Sequence, residues 1–203
     1  MPTDFRTVLA RTTRAAHAGL EAQLRLDGDA TPGRYVAYLR TMHAVSRRIE
    51  PHTSIALASL GLDAQARGKC AWLERDLAHF GVEPLASAAM RIPATVAARV
   101  GWAYVLEGST LGGRVLHAQL APRWSLTRER GAAFLYGYGE RTARMWRAFV
   151  DALNALGPDD GAMRESIAGA NDAFTAIGET FRLSIAGADL AVERDGTGRG
   201  LAA

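Results

Sequence analysis

Apolar positions recur every three to four residues along almost the whole chain, and no sustained apolar–polar alternation bounded by turn residues occurs. The first spacing belongs to amphipathic helices and the second would mark strands, so the pattern predicts an all-α fold. The first helix is expected from about Thr3 to Leu26, with Phe5, Leu9, Ala16, Leu20 and Leu24 on one stripe and Gly28-Asp29-Ala30 as its stop. Thr31-Pro32 supplies an N-cap and a first-turn proline for a second helix to about Arg48. Pro51 should break or kink the chain at that point, leaving a shorter segment to Leu60, with Gly61 as a C-cap. A third helix reads from Ala64 to Phe80, turning Trp72, Leu73 and Leu77 inward and stopping at Gly81, before a less regular connector over Val82–Ile92.

Pro93 opens a long apolar helix to Leu120 that Pro122 closes. Another helix is expected over Thr127–Leu156, interrupted by Gly137 and Gly139, with Leu135, Trp146, Phe149, Val150 and Leu153 on its apolar side. After the turn Gly157-Pro158-Asp159-Asp160, a last helix runs to Ile185 and carries Ile167, Phe174, Ile177 and Phe181. There are no repeats and no linker. The expectation is one helical domain over residues 1–186 and a loose Gly- and charge-rich tail over 187–203.

Within the Pro93–Leu120 helix sits Gly108-Ser109-Thr110-Leu111-Gly112-Gly113. Each glycine inside a helix weakens it by roughly 1 kcal/mol relative to alanine. The usual reason is close approach to bare backbone. Two partners fit the spacing, another helix or a flat ligand. A phosphate loop does not fit, because no Lys-Ser/Thr pair follows Gly113, and a dinucleotide loop does not fit, because no strand precedes it.

Composition narrows the chemistry. The 203 residues are 48% hydrophobic with a formal net charge of +3, a balance too small and dispersed for a nucleic-acid binder. Arginine supplies nearly all the positive charge, and Lys69 is the only lysine. A single cysteine, Cys70, excludes an intrachain disulfide and a multi-cysteine metal centre. No secretory leader and no run of 18 apolar residues is visible, which predicts a cytoplasmic protein without a membrane span. His43, His52, His79 and His117 lack metal-ligand spacing.

His17 differs, since Thr13 and Glu21 lie one turn to either side of it on the same face. A carboxylate there can tune the imidazole of a metal ligand. The same spacing also fits an amphipathic helix whose histidine lies at the core edge. One histidine suffices only for a metal that brings its other ligands, as haem iron does.

The motifs Thr13-x-x-Ala16-His17-x-x-Leu20-Glu21 and Tyr104-Val105-Leu106-Glu107-Gly108-Ser109-Thr110-Leu111-Gly112-Gly113-Arg114-Val115-Leu116 resemble the proximal and distal helices of haem oxygenases, in particular the bacterial branch associated with bacteriophytochromes. The segment Tyr138–Phe149 and the Ala173-Phe174 region come in matching order, so the resemblance covers most of residues 1–185. It implies haem b as both substrate and cofactor, with iron held through His17 and Glu21 as the acidic neighbour. Gly108, Gly112 and Gly113 match the glycines lining the distal face. Where many relatives carry a distal Asp, this chain has Ser109, which leaves Ser109, Thr110 or an arginine from elsewhere to organise distal water.

Arg141 and Arg144 are the first candidates for the propionates and Arg11 and Arg14 the second; a lysine common in relatives is Ala10 here. Tyr104, Tyr136 and Tyr138 could bind propionates or pack, and Trp146 and Phe149 are expected in the core. The implied reaction uses O₂ and electrons from a ferredoxin or reductase, yields biliverdin, CO and Fe²⁺, and supplies biliverdin to a bacteriophytochrome. A haem carrier of the same fold without turnover is the alternative.

Overall fold

A computed structural model describes residues 4–28, 30–86, 88, 90–156 and 159–195, with side chains of the last helix described to residue 186. Among these residues the chain forms helices α1 (Phe5–Thr12), α2 (Arg14–Leu24), α3 (Pro32–Ser59), α4 (Cys70–His79), α5 (Val96–Trp124), α6 (Ala133–Tyr136), α7 (Thr142–Asn154) and α8 (Asp160–Asp195). There is no strand among them; residues 127–131 make only isolated bridges. The all-α expectation holds. Thr3, Asp29, Gly157 and Pro158, on which some of the expected helix ends and turns fall, lie outside the described residues. So do 196–203; the backbone of α8 continues past Ile185 and past Gly187 to Asp195.

Several boundaries differ from the periodicity for local reasons. The first helix breaks at the buried Thr13, whose hydroxyl donates to the Leu9 carbonyl at 2.7 Å, a back-bond that bends helices. Pro51 does not end α3: it and Arg47, whose carbonyl loses a partner there, both lie on the exposed face where water can replace the bond. Pro122 likewise sits inside α5, which stops at Ser125 in the left-handed region (φ 51°). The expected Ala64–Phe80 helix becomes a 3₁₀ turn at Gln65–Arg67 and then α4. Glu50 Oε1 accepts from the Lys69 and Cys70 backbone N–H groups at 2.7 and 3.2 Å and so caps α4 from α3.

In place of a helix from Thr127 there is a turn and then the single-turn α6. Its N–H groups at Ala133 and Phe134 donate to the two oxygens of Asp76, at 2.7 and 2.8 Å. Asp76 is fully buried, and burial pushes its carboxyl up to about 6 in spite of those two bonds. A raised folded-state value means that its stabilising effect is complete below the unfolded value and is lost as pH rises through about 6. In urea titrations, wild type should therefore lose about 2 kcal/mol relative to Asp76→Asn between pH 4 and pH 6. A difference that stays flat over that range would refute it.

The three long helices α3, α5 and α8 pack on one another and carry most of the core; α2 lies on α8, α1 on α7 and α8, and α6 on α5 and α4. The α5–α8 crossing is made backbone to backbone. A Cβ on Gly101 would lie 2.0 Å from the Ser166 carbonyl oxygen, and one on Gly169 would lie 2.1 Å from that of Ala98. Ser166 Oγ, donating to the Ala97 carbonyl at 2.8 Å, closes the contact. Gly101→Ala must separate the helices, and a loss of about 3 kcal/mol in chemical denaturation is expected. Unchanged stability would mean that the crossing is looser than described.

Candidate functional site

The site begins with α2, which is seated on α8 by its C-terminal half. Gln23 Nε2 donates to the Gly178 carbonyl at 2.6 Å. Arg34 satisfies the last α2 carbonyls through Nε to Leu24 (3.0 Å) and a terminal nitrogen to Gln23 (2.5 Å). One turn earlier His17 stands with 58% of its side chain exposed, Nδ1 3.2 Å from Glu21 Oε2. Its ring meets Phe174 of α8 edge-on at 5.6 Å. A carboxylate at that distance favours the tautomer protonated on Nδ1, which leaves the Nε2 lone pair able to take a metal. The i,i+4 pairing expected from the sequence is present.

On α5, positions 108, 111, 112 and 115 form one helical stripe. Leu111 and Val115 are 39% and 60% exposed, unusual for apolar residues in mid-helix. A Cβ added to Gly108 or Gly112 would meet nothing within 4 Å. The helix-packing alternative therefore fails at these two glycines: no other part of the described protein fills the space they leave. Bare backbone beside exposed apolar side chains is a surface for a flat, apolar ligand.

The same geometry removes two residues from this stripe. A Cβ on Gly113 would lie 3.3 Å from the Leu135 carbonyl oxygen, so Gly113 serves the approach of α6 and not the open face. Thr110 is buried, its methyl against Gly137, whose positive φ (55°) and lack of a Cβ make room for it. Ser109 is half-buried. Its hydroxyl and that of Thr110 both turn back to the Leu106 carbonyl, at 2.8 and 3.3 Å.

A cleft of about 360 Å³ opens beside Leu111, walled by Ala143, Trp146 and Val150 of α7. Trp146 stacks on the fully buried Phe149 at 5.9 Å and meets Tyr104 at 5.9 Å, so these rings do bridge the core and the cleft. The arginines lining the cleft are Arg6 and Arg147; Arg141 and Arg144 are exposed on α7 and its leading turn but are not among the lining residues. Burial raises the Tyr104 hydroxyl's pKa, and the Arg6 charge opposes that rise, which places Arg6 close to this ring. Asp4, also on the rim, is occupied as the α1 cap and accepts from the Thr7 N–H at 2.7 Å.

Sequence reasoning missed the charged group directly behind the stripe. Glu107, immediately before Gly108, is 3% exposed and holds two buried cations. Arg67 donates to its Oε2 and, from the other terminal nitrogen, to the Met145 carbonyl of α7 at 3.1 Å. Lys69 Nζ donates to Glu107 Oε1 (2.9 Å), Tyr138 Oη (3.1 Å) and the Arg67 carbonyl (2.8 Å), and Tyr138 Oη donates to Glu107 Oε1 at 2.9 Å.

Burial alone would lower the Lys69 pKa, but Glu107 and Tyr138 overcome it and hold it above its ordinary value. Burial pushes Tyr138 up to about 12 against the opposing charge of Lys69. Tyr138 is thereby committed to this network, whereas Tyr136 lies with Arg114, His117 and Arg128. Two signals were available in the sequence: a lone Glu at the end of the apolar run 100–106, and the only lysine among arginines.

Among the described residues no three His, Cys, Asp or Glu side chains gather as a metal site, and no helix is long and apolar enough to cross a membrane. The family model for heme oxygenase matches residues 3–182. A heme oxygenase of Xanthomonas campestris pv. campestris is 33% identical over 144 residues, covering 69% of this chain and 84% of that protein. Heme oxygenase PigA of Pseudomonas aeruginosa is 27% identical over 180 residues, 86% of this chain and 89% of that protein.

The fold is similar to that of the NO- and CO-bound heme oxygenase of Neisseria meningitidis, at a TM-score of 0.78, 24% identity and coverage of 90% and 92% of the two chains. A heme oxygenase of Leptospira interrogans gives a TM-score of 0.70 at 18% identity, covering 88% and 98%. A match across nearly the whole length, joined to a histidine-bearing helix and a glycine-bared one, has one meaning: the chain belongs to the haem oxygenase family, oxidoreductases that degrade haem.

Proposed function

We propose that this protein cleaves haem b oxidatively to biliverdin, CO and Fe²⁺, with His17 as the protein's ligand to the iron and the Gly108–Gly112 stripe as the opposite wall. The observation that carries this reading is the pair of glycines whose missing side chains no protein atom replaces. A single histidine whose Nδ1 lies beside Glu21 would suit a metal that brings its other ligands with it. Haem supplies the iron that activates O₂ and the ring that is cut. The chain's own part is to orient and to exclude: Glu21 holds the imidazole tautomer, Leu111 and Val115 cover apolar ring surface, and Gly108 and Gly112 admit close approach.

With Gly113 and Thr110 facing other helices, Ser109 is the side chain nearest the stripe that can order water, by rotating its hydroxyl away from Leu106. Arg6 and Arg147, at the cleft beside Leu111, are better placed to receive propionates than Arg141 or Arg144. The reading brings with it an external electron donor, a ferredoxin or reductase. It also brings a bacteriophytochrome of the same cell as the acceptor of biliverdin, and a cytoplasmic location.

The second reading, haem carriage without turnover, draws on the Ser109 and Thr110 hydroxyls both being engaged by Leu106. Reconstitution separates the two. Adding haemin should produce a Soret band that His17→Ala shifts or loses. Supplying O₂ and a reductant should then replace it with the spectrum of biliverdin. A stable Soret band under turnover conditions selects the carrier, and haemin binding indifferent to His17→Ala rejects both.

A further inference from the structure

On the side of α5 turned away from the Gly108–Gly112 stripe, three basic side chains gather around one tyrosine. Arg114 lies over the Tyr136 ring at 5.1 Å and Arg128 at 5.5 Å, while the His117 imidazole meets its edge at 5.8 Å. Tyr136 is itself wedged in place: a Cβ on Gly139 would fall 2.7 Å from its ring, a space that only glycine at φ 61° leaves open. Cation–π attraction explains why guanidinium groups collect there. It does not explain their hydrogen bonding. One terminal nitrogen of Arg114 (Nη1) and the Nε2 of His117 are enclosed and have no hydrogen-bond partner.

Nor is the charge balanced. Among the described residues neither Arg114 nor Arg128 pairs with a carboxylate; Glu129, next in the chain to Arg128, accepts from the Thr127 hydroxyl at 3.3 Å instead. Two guanidinium charges and two enclosed nitrogens at one corner call for a ligand with about two negative charges and several acceptor oxygens. We propose that the corner between α5 and α6 binds a phosphate-type dianion through Arg114, His117 and Arg128.

The groups facing His117 are Arg114 of its own helix, whose charge acts on it, and Tyr136 of α6, whose ring also carries Arg128 of the turn between α5 and α6. Burial and the Arg114 charge both lower the His117 pKa, so the imidazole is predominantly neutral at pH 7 with the site free. A bound dianion reverses the second of these influences and favours the protonated ring. Anion binding should therefore take up a proton at His117. The site is separate from His17 and does not rest on the haem reading.

The test is NMR of the His117 Cε1–H resonance in the full chain, assigned by its loss in His117→Gln. It is titrated from pH 5 to 9 in chloride, acetate and inorganic phosphate at equal ionic strength. Phosphate should raise the apparent pKa of His117 by about one pH unit over chloride, acetate should not, and Arg114→Gln should abolish the difference. Arg128→Gln, an exposed substitution, should weaken it and covers the case in which Arg114→Gln fails to fold. Identical titrations in all three salts overturn the proposal, as does a phosphate effect that survives both arginine substitutions. Acetate acting as well as phosphate overturns the ligand class.

Discussion

Glu107→Gln is expected to lower stability by about 3–5 kcal/mol, the loss found when one member of a buried ion pair is removed and the rest stays charged. Arg67 and Lys69 would remain in the core, at 5% and 1% exposure, facing a neutral amide that itself presents two N–H groups. Against a typical total of about 5–15 kcal/mol, that is about a fifth or more of what holds the fold. Tyr138→Phe is the control. It removes one hydroxyl and leaves Lys69 its bonds to Glu107 and the Arg67 carbonyl, so a loss of about 1–2 kcal/mol is expected.

Urea denaturation monitored by circular dichroism reads both variants, and equal, small losses would show the network to be incidental. The pH sign comes from Lys69. Its folded-state pKa is raised, so its contribution is complete below the ordinary lysine value and disappears as pH rises through the folded one. Wild type should thus lose this increment only in strong alkali.

Gly112→Leu should separate function from fold. The position is helical and exposed, and a Cβ there meets nothing. Leucine is favoured over glycine in a helix by about 0.8 kcal/mol, so the variant should melt at or slightly above the wild-type temperature. Its isobutyl group would occupy the strip proposed for the haem ring. Haemin affinity should then fall by at least about 100-fold, on the order of 3 kcal/mol. A variant that titrated with haemin as wild type does would remove the stripe from the site. Gly113→Leu supplies the contrast: with the Leu135 backbone 3.3 Å from a Cβ, that substitution should destabilise the protein whether or not haem is present.

The contrast between neighbouring glycines marks where sequence reading stops. Gly108, Gly112 and Gly113 look alike in a string. Nothing in the string singles out Gly101 and Gly169 either, although they make a helix crossing too tight for any Cβ. Arginines behave the same way. The spacing of Arg141 and Arg144 points to a pair on one helix, yet the cleft is lined by Arg6 and Arg147, one from each of two helices. Pro51 reads as a break because the rule is local, while the exposure that lets α3 pass through it is not.

Helical periodicity, the cap at Thr31 and the His17–Glu21 pairing are interactions within a few residues of backbone, and the chain by itself determined them. The direction in which each face of α5 points was decided only in three dimensions, by the contacts of Gly101 with Ser166 and Ala170, of Gly113 with Leu135, and of Glu107 with Arg67, Lys69 and Tyr138. The reason is physical: a helix repeats every 3.6 residues whatever surrounds it. Its azimuth instead depends on which side chains find partners across the fold, and for Glu107 the partners lie 31 to 40 residues away along the chain.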